Sequence, residues 1–400
     1  MFRRHLYWSI ALLTFWVVGL WGLTLSTRSQ IVFPTVIDAS DEIKDSNYQY
    51  TASGSAKTSL GIVYGFLPYW TLENYTLPPE LTHLSYFRLA IDGRGNIVHD
   101  SGYNIFTDER FAPILQQIRT QKLNFEVTFF TSHSDQIYNL IKCNNCQQKL
   151  ITQIVDIAAA NNLDGINLDF EYLGTLTPQE QQTFTLFIYE LKNQLLARVP
   201  RTKLSLTVYG GAGDMNQNLY DFANLGKIVD HVIIMAYDYK TKSSAVPGST
   251  APTLGQSAWD GNIWQDTRTL GKYLSAEKII LAVPFYGYAW ETTSCTLSNA
   301  KTYPDSGETM TYNGAQNLLA NRSLNVKQYW DEKSLTPYLV WQATNENGEK
   351  RCHIGFFENE RSLEYKMDTI EQLQLGGIAI WALGYEGNHR ELWDGISQRF

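Results

Sequence analysis

Eight short apolar, β-rich runs recur along the chain, at 61–67, 81–89, 123–130, 163–170, 203–208, 231–237, 278–285 and 377–382. Continuous apolar strands suit a sheet covered on both faces, because a sheet with one wet face would alternate. Amphipathic helices lie between several of the runs. Thr177-Pro178-Gln179-Glu180 spells a capping box with proline at the first helical position. Phe184, Phe187, Ile188, Leu191 and Leu195 then make one apolar stripe that ends before Pro200. Leu363, Met367, Ile370 and Leu373 make a second, stopped by Gly376-Gly377. Strands and helices alternating over about 340 residues predict an α/β fold of the (β/α)8 barrel type rather than two nucleotide-binding halves. No glycine-rich phosphate loop supports the second choice. The gap between the seventh and eighth runs is far longer than the others, and 290–360 predicts a small α+β insertion.

The N-terminus bears on the compartment. After Arg3 and Arg4 the segment 6–27 is uncharged, long enough for the about 20 residues that cross a bilayer as a helix. It lacks an A-x-A cleavage site, so it reads as a single-pass transmembrane anchor with its basic end in the cytoplasm and the rest exported. Secretion after signal cleavage is the alternative. The organisation expected is a stub and anchor at 1–28, a polar linker at 29–57 and the barrel at 58–400.

Four cysteines fit an oxidising compartment. Cys143 and Cys146 read as a local disulfide or two thiols, and Cys295 and Cys352 fall where a bridge can join them. No histidine spacing resembles a metal site, so neither metal nor cofactor is expected. A formal net charge of −8 without a basic run beyond Arg3-Arg4 argues against nucleic acid as a partner. Aromatic residues make up 13% of the chain, a density that supplies stacking faces as well as core and brings sugar rings into view.

In such a barrel chemistry sits at the C-terminal ends of the strands. The fourth run reads Asp164-Gly165-Ile166-Asn167-Leu168-Asp169-Phe170-Glu171. Alternation puts Asn167, Asp169 and Glu171 on one face and Ile166, Leu168 and Phe170 on the other. Three successive polar positions facing the interior are costly unless they are used. Partial burial and the charge of Asp169 would raise the pKa of Glu171 and keep it protonated as a general acid. Asp169, only ~6.6 Å away on the same side, is badly placed to attack a sugar from the opposite face.

The run resembles the D-G-x-D-x-D-x-E signature of family 18 glycoside hydrolases, the chitinase-like enzymes. Gly65-Phe66-Leu67-Pro68-Tyr69-Trp70 is similar to the family's first-strand segment, and Met235-Ala236-Tyr237-Asp238-Tyr239 to its M-x-Y-D motif on the sixth. Pro284-Phe285-Tyr286-Gly287 and Gly377-Ile378-Ala379-Ile380-Trp381 resemble the seventh and eighth. The resemblance implies a retaining, substrate-assisted reaction in which the sugar's 2-acetamido oxygen is the nucleophile. It implies Glu171 as general acid and base, and Asp169 orienting the acetamide. Tyr237 would bond the acetamide oxygen, Asp238 would bind the sugar, and Trp381 would stack beneath the ring. Tyr69, Trp70, Tyr209, Met235 and Tyr286 are further candidates for substrate contact.

Asn167 stands where the family usually carries Asp. It could donate a hydrogen bond to Asp169 but removes one of two coupled carboxylates, so Asp169 should ionise more easily. Asn there, with Leu335-Thr336-Pro337-Tyr338 and Phe357-Glu358-Asn359-Glu360-Arg361-Ser362, resembles the branch with chitobiase and spore- or cell-wall hydrolases. The function implied is a monomeric, membrane-anchored glycosidase that cleaves β-1,4 bonds of N-acetylglucosamine-containing glycans. Chitin oligosaccharides and peptidoglycan are the candidate substrates. The alternatives are a non-catalytic chitinase-like lectin and an endo-β-N-acetylglucosaminidase on N-glycans. Glu171 discriminates, because the family's non-enzymatic members typically lose the acid.

Overall fold

A computed structural model describes residues 61–215, 218–255, 261–345 and 348–400. The expected anchor and linker lie outside the described residues. Among the described residues no helix is long and apolar enough to cross a membrane.

Seven parallel strands come first: β1 (Ile62–Pro68), β2 (His83–Ala90), β3 (Asn124–Thr131), β4 (Gly165–Phe170), β5 (Lys203–Tyr209), β6 (His231–Met235) and β7 (Ile279–Pro284). Five more follow before the barrel resumes: β8 (Tyr286–Thr292), β9 (Glu308–Thr311), β10 (Lys327–Asp331), β11 (Thr336–Thr344) and β12 (Lys350–Phe356). The last strand, β13 (Gly377–Trp381), pairs with both β7 and β1 and closes an eight-stranded barrel in the order β1-β13-β7-β6-β5-β4-β3-β2. All eight expected runs are barrel strands. The sixth is shorter than the apolar run, because the backbone turns after Met235 and puts Asp238 in the left-handed region, with φ +62°.

Each strand packs on both sides, as its composition requires. Outward, Ile166, Leu168 and Phe170 of β4 join Phe184, Phe187, Ile188, Leu191 and Leu195 of the helix Pro178–Arg198 in the main core. That helix begins at the expected capping box, with Thr177 and Glu180 bonded reciprocally. Inward, the barrel divides into two sectors. Tyr64, Phe66, Phe87, Ile233, Ile280, Ala282 and Ala379 make an apolar wall. Ser85, Glu126, Thr128, Asn167, Asp169, Ser205 and Thr207, from β2 to β5, are buried and polar.

The insertion is a five-stranded sheet in the order β10-β11-β12-β8-β9, with antiparallel pairs and the helix Tyr312–Ala320. It starts at Tyr286, four residues before the expected 290, because only Phe285 separates β7 from β8. Cys295 and Cys352 are bridged within it, and Cys143 and Cys146 are bridged at the start of the helix Asn144–Asn161.

Candidate active site

The polar sector of the barrel rises into the acidic end of β4. Asp169 is 4% exposed, and its Oδ1 has no hydrogen-bond partner. Glu171 lies one residue past the strand, tied by its backbone N–H to the carbonyl of Thr131 at 3.0 Å, and is half-buried. Burial pushes its carboxyl up to about 7, with the charge of Asp238 adding to the shift. Asp238 is a neighbour that the spacing did not show, and it acts beside Asp169, whose repulsion with Glu171 is mutual. Asp169 is itself held well above the usual carboxylate range by burial and then by Glu171. Desolvation is the larger cause, and it acts on Asp169 whatever residue stands at 167.

Asn167 is fully buried, and its expected bond to Asp169 does not form. Its Nδ2 donates to Ser205 Oγ at 2.9 Å, while its Oδ1 accepts from Thr207 Oγ1 at 3.0 Å and Thr128 Oγ1 at 3.2 Å. The amide oxygen is saturated by β3 and β5, and the nitrogen turns to Ser205 rather than to the residue above it.

The other expected residues gather around the carboxylates to different degrees. Tyr237, half-buried beyond β6, feels the charges of Asp169, Asp238 and Glu171, which with burial hold its phenol protonated. Asp238 Oδ1 accepts from Tyr286 Oη at 2.5 Å and Tyr288 Oη at 2.9 Å. Tyr286 is the first residue of β8, so the insertion supplies both donors. Tyr209 ends β5 with a buried hydroxyl that has no partner, and Glu171 and Asp169 are the charges acting on it. Trp381, at the end of β13, packs edge-to-face with Phe87 at 4.6 Å and tilted against Phe66 at 5.9 Å, and remains half-exposed toward the cleft. Trp70 is 48% exposed and meets Phe87 and Tyr69 edge-on, so it extends the same aromatic wall outward. Tyr69 packs partly against the main core. Met235 is buried beneath this group, and its carbonyl accepts from the Gly210 N–H.

Two participants were not anticipated. Tyr288 was legible as the residue two beyond Tyr286, on the same face of a strand. Glu126 was also in view, as a lone charge inside the apolar run of β3, but only barrel closure shows that it points inward.

A closed parallel barrel with clustered carboxylates and aromatic platforms at the C-terminal strand ends defines a carbohydrate-cleaving barrel enzyme. The profile of Glycosyl hydrolases family 18 matches residues 50–386, and the chain belongs to that family. It is a glycoside hydrolase. The chain is 23% identical over 358 residues to the uncharacterized glycosylase YvbX of Bacillus subtilis (strain 168), covering 87% of this chain and 94% of that one. It is 24% identical over 310 residues to the cortical fragment-lytic enzyme of the same organism, covering 76% of this chain and 65% of that protein. The fold is shared with the chitinase of Cycas revoluta solved with (GlcNAc)3, at a TM-score of 0.71 and 16% identity, covering 85% and 99% of the two chains.

Proposed function

We propose that this glycosidase hydrolyses β-1,4 bonds of N-acetylglucosamine-containing glycans, either chitin oligosaccharides or peptidoglycan, with retention of configuration. The observation that carries the reading is the pair Asp169 and Glu171 on one side of one strand end, with raised proton affinity in both. Glu171, protonated, gives its proton to the glycosidic oxygen as the bond to the anomeric carbon breaks. The acetamide oxygen of the same sugar forms the new bond to that carbon, and an oxazolinium results. Asp169 accepts the acetamide N–H and balances the positive charge, while Tyr237 donates to the acetamide oxygen. Trp381 lies under the ring, and Asp238 binds the sugar from the insertion side. Glu171, now ionised, takes a proton from water, whose oxygen opens the oxazolinium from the face the leaving group vacated. Two displacements give retention. The relative named a cortical fragment-lytic enzyme and the fold neighbour holding (GlcNAc)3 support this substrate class.

The test is turnover. The purified full chain should release products from N-acetylglucosamine oligomers or peptidoglycan, and Glu171→Gln should lower the rate by about 10²-fold or more, the scale of a lost general acid. If both proteins bind the glycan and neither cleaves it, the catalytic assignment is wrong and a lectin remains. We also propose that segment 6–27 anchors the barrel on the outer side of a membrane, on the strength of its length and its flanking arginines.

A further inference from the structure

One layer below Asn167, the interior of the barrel holds a carboxylate that the reaction scheme does not use. Glu126 of β3 is 2% exposed and lies over Gly165, its register partner on β4. The missing side chain makes the room: a Cβ on Gly165 would stand 2.4 Å from the Glu126 carboxyl carbon. Glu126 Oε2 accepts from Tyr64 Oη at 2.8 Å and from Ser205 Oγ at 3.4 Å. Ser205 Oγ in turn accepts from Asn167 Nδ2 and lies 3.4 Å from the carbonyl of Ile166. At the top, Thr207 and Thr128 both donate to Asn167 Oδ1, and Ser85 pairs with Thr128 at 2.8 Å. Thr207 is the register partner of Asp169, yet its hydroxyl proton points down to Asn167, and Asp169 Oδ1 is left bare.

Direction in such a chain is set by its least adaptable member. Hydroxyls donate or accept, and an amide can present either end, but an ionised carboxylate only accepts. Resting on the proposed roles of Asp169 and Glu171, we infer that Glu126 is a positioning residue for hydrolysis. Through Ser205 it holds the Asn167 amide oxygen toward Thr128 and Thr207, so their hydroxyls donate away from Asp169. Asp169 thus keeps an empty acceptor for the substrate's acetamide N–H. The ionisable groups that face Glu126 are Tyr64, with His83 stacked on it, and Asp164, Asp230 and His231 at the lower rim. Burial holds Glu126 near 7, so it ionises in the range where the enzyme would work.

The experiment compares kcat and KM across pH for the full wild-type chain, Glu126→Gln, Ser205→Ala and Glu171→Gln on N-acetylglucosamine oligomers. The amide introduced by Glu126→Gln can donate to Ser205, which turns the Asn167 amide over and brings a donor to Asp169. That donor lowers the pKa of Asp169, and loss of the buried negative charge acts in the same direction. The expected result is an acid limb of kcat moved to lower pH, with optimum kcat down about 10-fold and KM within about twofold, as misorientation rather than lost binding predicts. Ser205→Ala cuts the link without touching the carboxylate and should move the limb the same way; it decides the matter if Glu126→Gln does not fold. Unchanged kcat and acid limb in these variants overturn the inference, even if thermal stability drops. No turnover by wild type overturns both this inference and the catalytic assignment beneath it.

Discussion

At the scale of single residues, the site turns on how few donors reach its carboxylates. Glu171 is pushed up to about 7 by burial first and Asp238 second. A general acid works in its protonated form, so kcat/KM should fall as pH rises through about 7, tenfold per unit well above it. Asp238→Asn removes the second cause, and the alkaline limb should then move to lower pH. A limb that stays or rises, in initial rates on an oligomer, would show that Asp238 does not act on the acid electrostatically. Asp169 and Glu171 were legible from their spacing, since alternation along a strand is local geometry. The partners of Asn167 were not, because Thr128, Ser205 and Thr207 come from strands 38 to 40 residues away in sequence. Asn167 was expected to serve its neighbour above and instead serves the strands beside it.

At the scale of elements, the insertion is part of the site rather than an appendage. Strand β8 leaves β7 after one residue and carries Tyr286 and Tyr288 to Asp238. The chain returns to the barrel through the helix Glu360–Gln372, whose start is held by a buried pair. Lys366 Nζ donates to Glu358 Oε2 at 2.7 Å, and Ser362 Oγ donates to the same oxygen at 2.7 Å. The Lys366 and Glu358 side chains are 0% and 3% exposed. Glu358→Ala would leave an ammonium without its counter-charge in that interior, at a cost of about 3–5 kcal/mol. Chemical denaturation monitored by tryptophan fluorescence should show this loss, and a change below about 1 kcal/mol would mean that water or another anion replaces the carboxylate. The helix stripe at Leu363, Met367 and Ile370 was readable from periodicity. The pair beneath it was not, because Glu358 precedes the helix and nothing local announces that both charges will be covered.

At the scale of the whole molecule, the barrel interior is divided. The apolar wall from β1, β6, β7 and β13, with Phe87 of β2, ends in Trp381, and the polar sector from β2 to β5 ends in Asp169 and Glu171. A sugar whose ring faces the first and whose acetamide faces the second meets both of its chemical requirements in one cleft. If segment 6–27 anchors this barrel, the full chain should sediment with membranes, resist extraction by high salt and be released by detergent. Recovery in the soluble fraction would remove the anchor.

The sequence by itself determined the alternation of strands and helices, the presence of an insertion, and the carboxylates and aromatics that mark the family. Each of these follows from periodicity or from short spacing, which the backbone converts directly into a shared face. Only the tertiary structure decided that Asp238 joins Asp169 in acting on Glu171, that Asn167 answers to Ser205 and ultimately to Glu126, and that the insertion supplies donors to the site. Those outcomes depend on which strands become neighbours when the barrel closes and on how completely water is excluded there. Desolvation and hydrogen-bond direction are properties of that closure, and no stretch of the chain carries them alone.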